Sequence, residues 1–140
     1  MIVLNLFSKL VIISAVCLCL TACHSEHSLE FDRYYAQGLY IYQAHCQNCH
    51  GKKGEGIASL IPPLTDSTFL KNNQEKLPCI IKYGIASPIS INGRTYEFTM
   101  PPQNTLSDIE LAEVIVYINN SFGNHIGMYT LEKIRKNKCL

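Results

Sequence analysis

Residues 46–51 read "CQNCHG", placing the thiols of Cys46 and Cys49 and the imidazole of His50 within five consecutive residues. Three chemistries use such a stretch. A CxxC pair serves as a dithiol redox switch, as half of a zinc site, or, when His follows directly, as the attachment point of a c-type haem. The rest of the chain decides which of the three the residues suit.

Composition limits the choices first. The chain has 140 residues, 47% hydrophobic and 16% charged, enough for one ordinary globular domain with a modest core. Its formal charge is +1, and its Lys and Arg residues are scattered apart from a cluster at Lys133, Arg135, Lys136 and Lys138. A nucleic-acid partner is not indicated.

Residues 1–22 read as a leader rather than as part of the fold. Lys9 supplies one positive charge, and the apolar run "LVIISAVCLCL" behind it is too short to favour a membrane span. The run closes in "LTAC", Leu20 to Cys23, which resembles the lipobox of bacterial lipoproteins, whose Cys is acylated and becomes the first mature residue. Ordinary cleavage after Ala22 beside an incidental Cys is the alternative. Acyl chains at about 0.8 kcal/mol per buried methylene would hold the protein on a membrane. The expected layout is a leader over 1–22, a lipidated Cys23 with a polar tether over 23–32, a folded domain over 33–123, and a basic extension over 124–140. The product would be exported, anchored to a bacterial membrane and facing the periplasm or the cell exterior.

That layout bears on the thiols. Of seven cysteines, Cys17 and Cys19 leave with the leader and Cys23 carries lipid, so Cys46, Cys49, Cys79 and Cys139 remain. A closed zinc site needs four ligands, normally from two paired clusters, and no second CxxC or HxxxH is present. A thioredoxin-like switch wants a βαβ pattern, and none is visible. His50 favours haem, because attachment needs two thiols for the porphyrin's side groups and an imidazole beside them for the iron.

The sequence resembles class I (monohaem) c-type cytochromes from about Arg33 to Arg135. "GLYIYQAHCQNCHGKKGEG" is similar to that family's first helix and haem loop, "IPPL" to its proline segment, "YEFTMPP" to its methionine loop and "LSDIELAEVIVYINNSFGN" to its last helix. The resemblance implies an all-α, cytochrome c-like fold: a few short helices around one covalently bound haem c, the terminal helices crossing, and a small β-hairpin before the methionine loop. It implies electron transfer rather than catalysis, as a carrier or as the haem subunit of a respiratory dehydrogenase or oxidase. The implied partners are a dehydrogenase, a quinol-oxidising complex or a terminal oxidase.

Residue patterns support the same layout. Tyr34, Gly38, Ile41, Tyr42 and His45 share a helical face by their spacing. Gly38 inside a helix costs about 0.8–1.0 kcal/mol relative to Ala, which asks for a packing reason; in the family the first and last helices cross at a glycine here. Ser107 and Glu110 form a capping box, followed by a buried stripe of Leu111, Val114, Ile115 and Ile118 with Tyr117 alongside. Between these helices, Pro62 and Pro63 exclude helix, and no Gly-Lys-Ser/Thr completes a P-loop. "STFLKNN" and "LPCIIKYG" can each hold a short helix, the second stopping at Gly84. "PISINGRTYEF" alternates around Asn92-Gly93, a hairpin signal, with a surface loop as the alternative.

The iron's second face leaves several candidates: His24, His27, His45, His125, Met100 and Met128. A solitary Met is ordinarily core filler. Met100, in a loop stiffened by Pro101 and Pro102 directly before the last helix, is the ligand that the resemblance implies. The resemblance also gives Pro62 the role of accepting the His50 ring N–H and Leu64 that of packing on the haem, with Pro63 one register away. The expected apolar walls are Ile61, Leu64, Ile80, Ile81, Tyr96, Phe98 and Val116. Cys79 and Cys139, left over in an oxidising compartment, are a candidate disulfide; a free, packed Cys79 is the alternative. A haem peroxidase or small-ligand sensor would need an open sixth position, which Met100 argues against. A non-haem thiol oxidoreductase would leave His50 without a role.

Overall fold

The computed structural model describes residues 28–137 and residue 139. The leader, Cys23, His24, His27 and Lys138 lie outside the described residues. In chain order the elements are α1 (Leu29–His45), α2 (Gln47–His50), α3 (Ser67–Asn72), α4 (Leu77–Tyr83), β1 (Ile89–Ile91), β2 (Arg94–Tyr96), α5 (Asp108–Asn119) and α6 (Leu131–Lys136). The fold is mostly helical with one small hairpin, as the sequence implies.

The two long helices, α1 and α5, form the frame. Ser28 caps α1 by accepting the Phe31 N–H at 3.2 Å, satisfying one of the donors that a helix start leaves free. Glu110 closes the start of α5, accepting the Ser107 backbone N–H at 2.8 Å and the Ser107 hydroxyl at 2.6 Å. The helices cross at Gly38, where a Cβ would lie 2.1 Å from the Glu113 carbonyl oxygen and 2.7 Å from Tyr117 Cβ. Only a residue without a side chain permits that approach, which accounts for the glycine inside α1.

α5 is the centre of the molecule. Every residue from Leu111 to Asn119 is buried, a wider band than the stripe expected from spacing. The reason is that α5 is covered on several sides, by α1, by α4 and by α6, and a helix apolar nearly all round belongs inside. Leu111, Val114 and Ile115 are essentially fully buried, each burial favouring the fold by about 1.5–3 kcal/mol. Beside the crossing, the Tyr42 ring lies tilted at 5.3 Å from both Tyr117 and Phe122, and Tyr117 meets Phe122 edge-on at 5.7 Å.

The packed core does not stop at residue 123. Asn124, Tyr129 and Ile134 are all buried, and α6 rests on α5. Residues expected to form an extension beyond the domain therefore belong to its core. Cys79 on α4 is joined to Cys139 by a disulfide, with Cα atoms 5.4 Å apart, and the Asn137 side chain donates to the Glu75 carbonyl. The chain end is thus fastened to the middle of the fold. β1 and β2 pair antiparallel around Asn92-Gly93, with Ile89 opposite Tyr96, and the Asn92 amide donates to Asp66.

Candidate functional site

An apolar slot opens beside α5, with an empty space of about 970 Å³ when its open mouth is included. Cys46, Cys49, His50, Pro62, Leu64 and Met100 all line it. Segments far apart in sequence thus meet at one place.

The helix geometry of the first group follows from its spacing. The Cys49 and His50 amides both bond to the Cys46 carbonyl, at 3.1 and 2.9 Å, so the three side chains sit at i, i+3 and i+4 on one helical turn. Tyr42 holds the turn's end by donating its hydroxyl to the Gly51 carbonyl at 2.6 Å. Burial pushes the Cys46 thiol up to about 12, with Cys49 adding to the effect. Such a thiol keeps its proton at neutral pH, the reverse of the low-pKa nucleophile that a dithiol oxidoreductase needs. Cys46 and Cys49 are not bonded to each other.

His50 is oriented by the proline segment. Its Nδ1 lies 3.1 Å from the Pro62 carbonyl oxygen. A carbonyl only accepts, so Nδ1 carries the hydrogen and Nε2 keeps its lone pair. Burial lowers the His50 pKa, the Pro62 carbonyl opposing it in part, so the ring is neutral at physiological pH and suited to ligate a metal. Pro62, rather than Pro63, supplies the acceptor.

Met100 is fixed by backbone bonds rather than by a helix. Its N–H and C=O pair with the C=O and N–H of Ile85, each at 2.9 Å. The preceding Gly84 makes the contact possible: with φ at +73°, its position would put a Cβ 2.2 Å from the Met100 carbonyl oxygen. Further along, the Gln103 amide bonds to the Ile81 carbonyl at 3.0 Å, and the Gln103 side chain meets His45 Nδ1 at 3.2 Å. The methionine loop is therefore tied to α4 and to the end of α1.

Among the other ligand candidates, His45 reaches the rim of the slot but is exposed and engaged with Gln103. His125 is exposed and Met128 is half-buried, and neither lines the slot. The walls differ in part from those expected. Leu64, Ile80 and Ile81 line the slot, whereas Ile61, Tyr96 and Val116 are buried outside it and Phe98 is 55% exposed. Phe69, Leu70, Leu77, Ile89, Ile91 and Ile115 take their places. Alternation along the hairpin ends at Tyr96, so it could not assign Phe98 a face. β1 places Ile89 and Ile91 on the same side, a period-of-two signal that could have identified them.

Among the described residues no group of three or more His, Cys, Asp or Glu side chains converges as a metal cage. The slot presents the His50 imidazole, the Met100 thioether and the Cys46 and Cys49 thiols amid apolar walls, with His45 turned to Gln103 at its rim, a donor set that suits an attached haem and not a closed zinc site.

Residues 34–118 match the protein family described as cytochrome C oxidase, cbb3-type, subunit III. The chain belongs to this family of c-type cytochromes. The match covers the span from the core of α1 to the end of α5 and includes the whole slot. The cytochrome is also 28% identical over 90 residues to the "Alcohol dehydrogenase (quinone), cytochrome c subunit" of Gluconobacter oxydans (strain 621H). The alignment takes in 63% of this chain and 19% of that relative, so the chain spans about a fifth of its length. Both findings support electron transfer through covalently bound haem. Among the described residues no helix is long and apolar enough to cross a membrane.

Proposed function

We propose that this cytochrome carries electrons through one haem c, bound by thioether links to Cys46 and Cys49 and held at the iron by His50 and Met100. The observation that carries the reading is the convergence on one apolar slot of both thiols, a neutral oriented imidazole and a backbone-anchored thioether. Covalently bound haem supplies an iron that cycles between ferric and ferrous states, and a His/Met pair favours the reduced form.

The chain's own residues do the rest. Cys46 and Cys49 fix the group's position and prevent its loss. The Pro62 carbonyl holds the His50 ring in one tautomer and raises its donor strength. Ile85 keeps Met100 from swinging away, and the apolar walls exclude water. The rigid frame of α1 and α5 keeps this environment alike in both oxidation states, so little reorganisation accompanies transfer. The chain holds a single CxxCH, which supports one haem.

The family and the relative's name favour a role as the haem domain serving a larger oxidoreductase, with a dehydrogenase, a quinol-oxidising complex or a terminal oxidase as partner. Export and a lipid anchor at Cys23 fit this role, resting on the leader sequence. The test is direct. Acid–acetone extraction of the purified protein should leave haem on the chain, and peptide mass spectrometry should find it on the fragment bearing Cys46 and Cys49. Haem that extracts freely, or a chain that carries none after export in a haem-maturing host, would overturn the proposal.

A further inference from the structure

Asn124 lies beyond the last long helix and outside the region that the sequence marks as the domain, yet it is completely buried. Its side-chain nitrogen donates to two main-chain carbonyls, Leu64 at 2.7 Å and Ile118 at 3.0 Å. These two bonds fix the orientation of the amide, because a carbonyl cannot donate to the oxygen. Asn124 Oδ1 is left buried without a donor among the described residues. An orphan acceptor in the interior is unfavourable, so the side chain is held there for its two donors.

What those donors hold is the proline segment. Pro62 and Pro63 have no N–H, so half of Ile61–Leu64 cannot anchor itself by donating, and the segment depends on what its carbonyls accept. The Ile61 carbonyl takes the Ile57 amide at 3.0 Å, and the Leu64 amide reaches the Gly54 carbonyl at 2.7 Å, both within the same loop. The Asn124 bond to Leu64 ties this loop to the rest of the fold, through the carbonyl of Ile118 on α5. Two residues before Leu64 is the Pro62 carbonyl that receives His50 Nδ1–H.

We propose that Asn124 is a positioning residue for His50, acting through Leu64 and Pro62 to keep the acceptor of the ring N–H in place. The role rests on the reading of His50 as an iron ligand. With the clamp intact, the His50–Pro62 bond is held in place and the imidazole is the stronger donor to iron. With it removed, the proline loop opens locally, Nδ1–H becomes accessible to solvent, and the weakened donor shifts the reduction potential upward.

The measurement is the exchange of His50 Nδ1–H with deuterium in the reduced, haem-loaded protein by NMR. The variant is Asn124→Leu, which keeps the branched skeleton of the side chain and deletes both donors; Ile134→Ala is the control, a core lesion on α6 away from the loop. Exchange in Asn124→Leu should be at least about tenfold faster than in wild type, as expected for a lost local restraint, with a raised potential, while Ile134→Ala loses stability without either change. Exchange and potential unchanged in Asn124→Leu, or altered equally in Ile134→Ala, would overturn the role.

If Asn124→Leu fails to fold, the wild-type protein supplies the answer. The Asn124 side-chain hydrogens and His50 Nδ1–H should then exchange through one common opening, with similar protection. A freely exchanging Asn124 amide beside a protected His50 would contradict the clamp. A His50 ring lacking the spectral shifts of an adjacent haem would instead overturn the ligand reading itself.

Discussion

Met100 and Gly38 show how differently single residues support the site. Met100→Ala leaves Cys46, Cys49 and His50 untouched, so haem should stay attached while the reduction potential falls and the ferrous iron gains carbon monoxide binding. Redox titration and gas binding on the same preparation check both outcomes. Gly38→Ala should act on the frame: its Cβ would fall 2.1 Å from a backbone oxygen of α5 that cannot move alone. The helices must separate, at a cost of about 1–3 kcal/mol, read from denaturant unfolding. Gly38 was legible in the sequence as a glycine inside an amphipathic helix, and the place of Met100 in the slot lining through its loop's resemblance to a family. Asn124 was not. Its partner Leu64 is 60 residues away, the two lie in irregular segments, and no periodicity records a bond between side chain and loop.

At the scale of elements, caps and crosslinks were easier to foresee than walls. The capping box at Ser107 and Glu110 is a local pattern, and its chemistry has a pH signature. The Ser107 hydroxyl and then its backbone N–H hold the Glu110 carboxyl below its ordinary value of 4.5. A carboxylate with a depressed pKa contributes stability that is complete above 4.5 and is lost as pH falls through the lower folded value. Glu110→Gln should therefore flatten the acid limb of the stability curve, and Ser107→Ala should lose about 1 kcal/mol at neutral pH.

The crosslink makes a larger prediction. Replacing Cys79 and Cys139 together by Ala should lower unfolding stability by about 2–4 kcal/mol, and thiol titration of the wild type under denaturing conditions should find neither of them free. The walls were less legible because short helices and a three-residue strand meet the slot at angles that only the folded chain defines. Phe69 and Leu70 on α3 read as generic apolar residues until α3 is docked, and Phe98 reads as core until the hairpin ends two residues earlier. At the scale of the whole molecule, the frame of α1 and α5, the disulfide and the Ile134 face of α6 support a slot assembled from short helices and loops. A slot supported in this way fits the proposed role as a haem-bearing electron carrier. Cys23→Ser should release the haem protein from the membrane fraction or stall its processing; a correctly cleaved variant that stays membrane-bound would count against the anchor. The most direct test of the central claim is the absorption spectrum of the reduced, full-length protein before and after carbon monoxide. With both axial positions filled by His50 and Met100, the predicted result is a low-spin haem spectrum that carbon monoxide leaves unchanged at neutral pH; a protein with no Soret band, or one whose Soret band shifts at once, would contradict it.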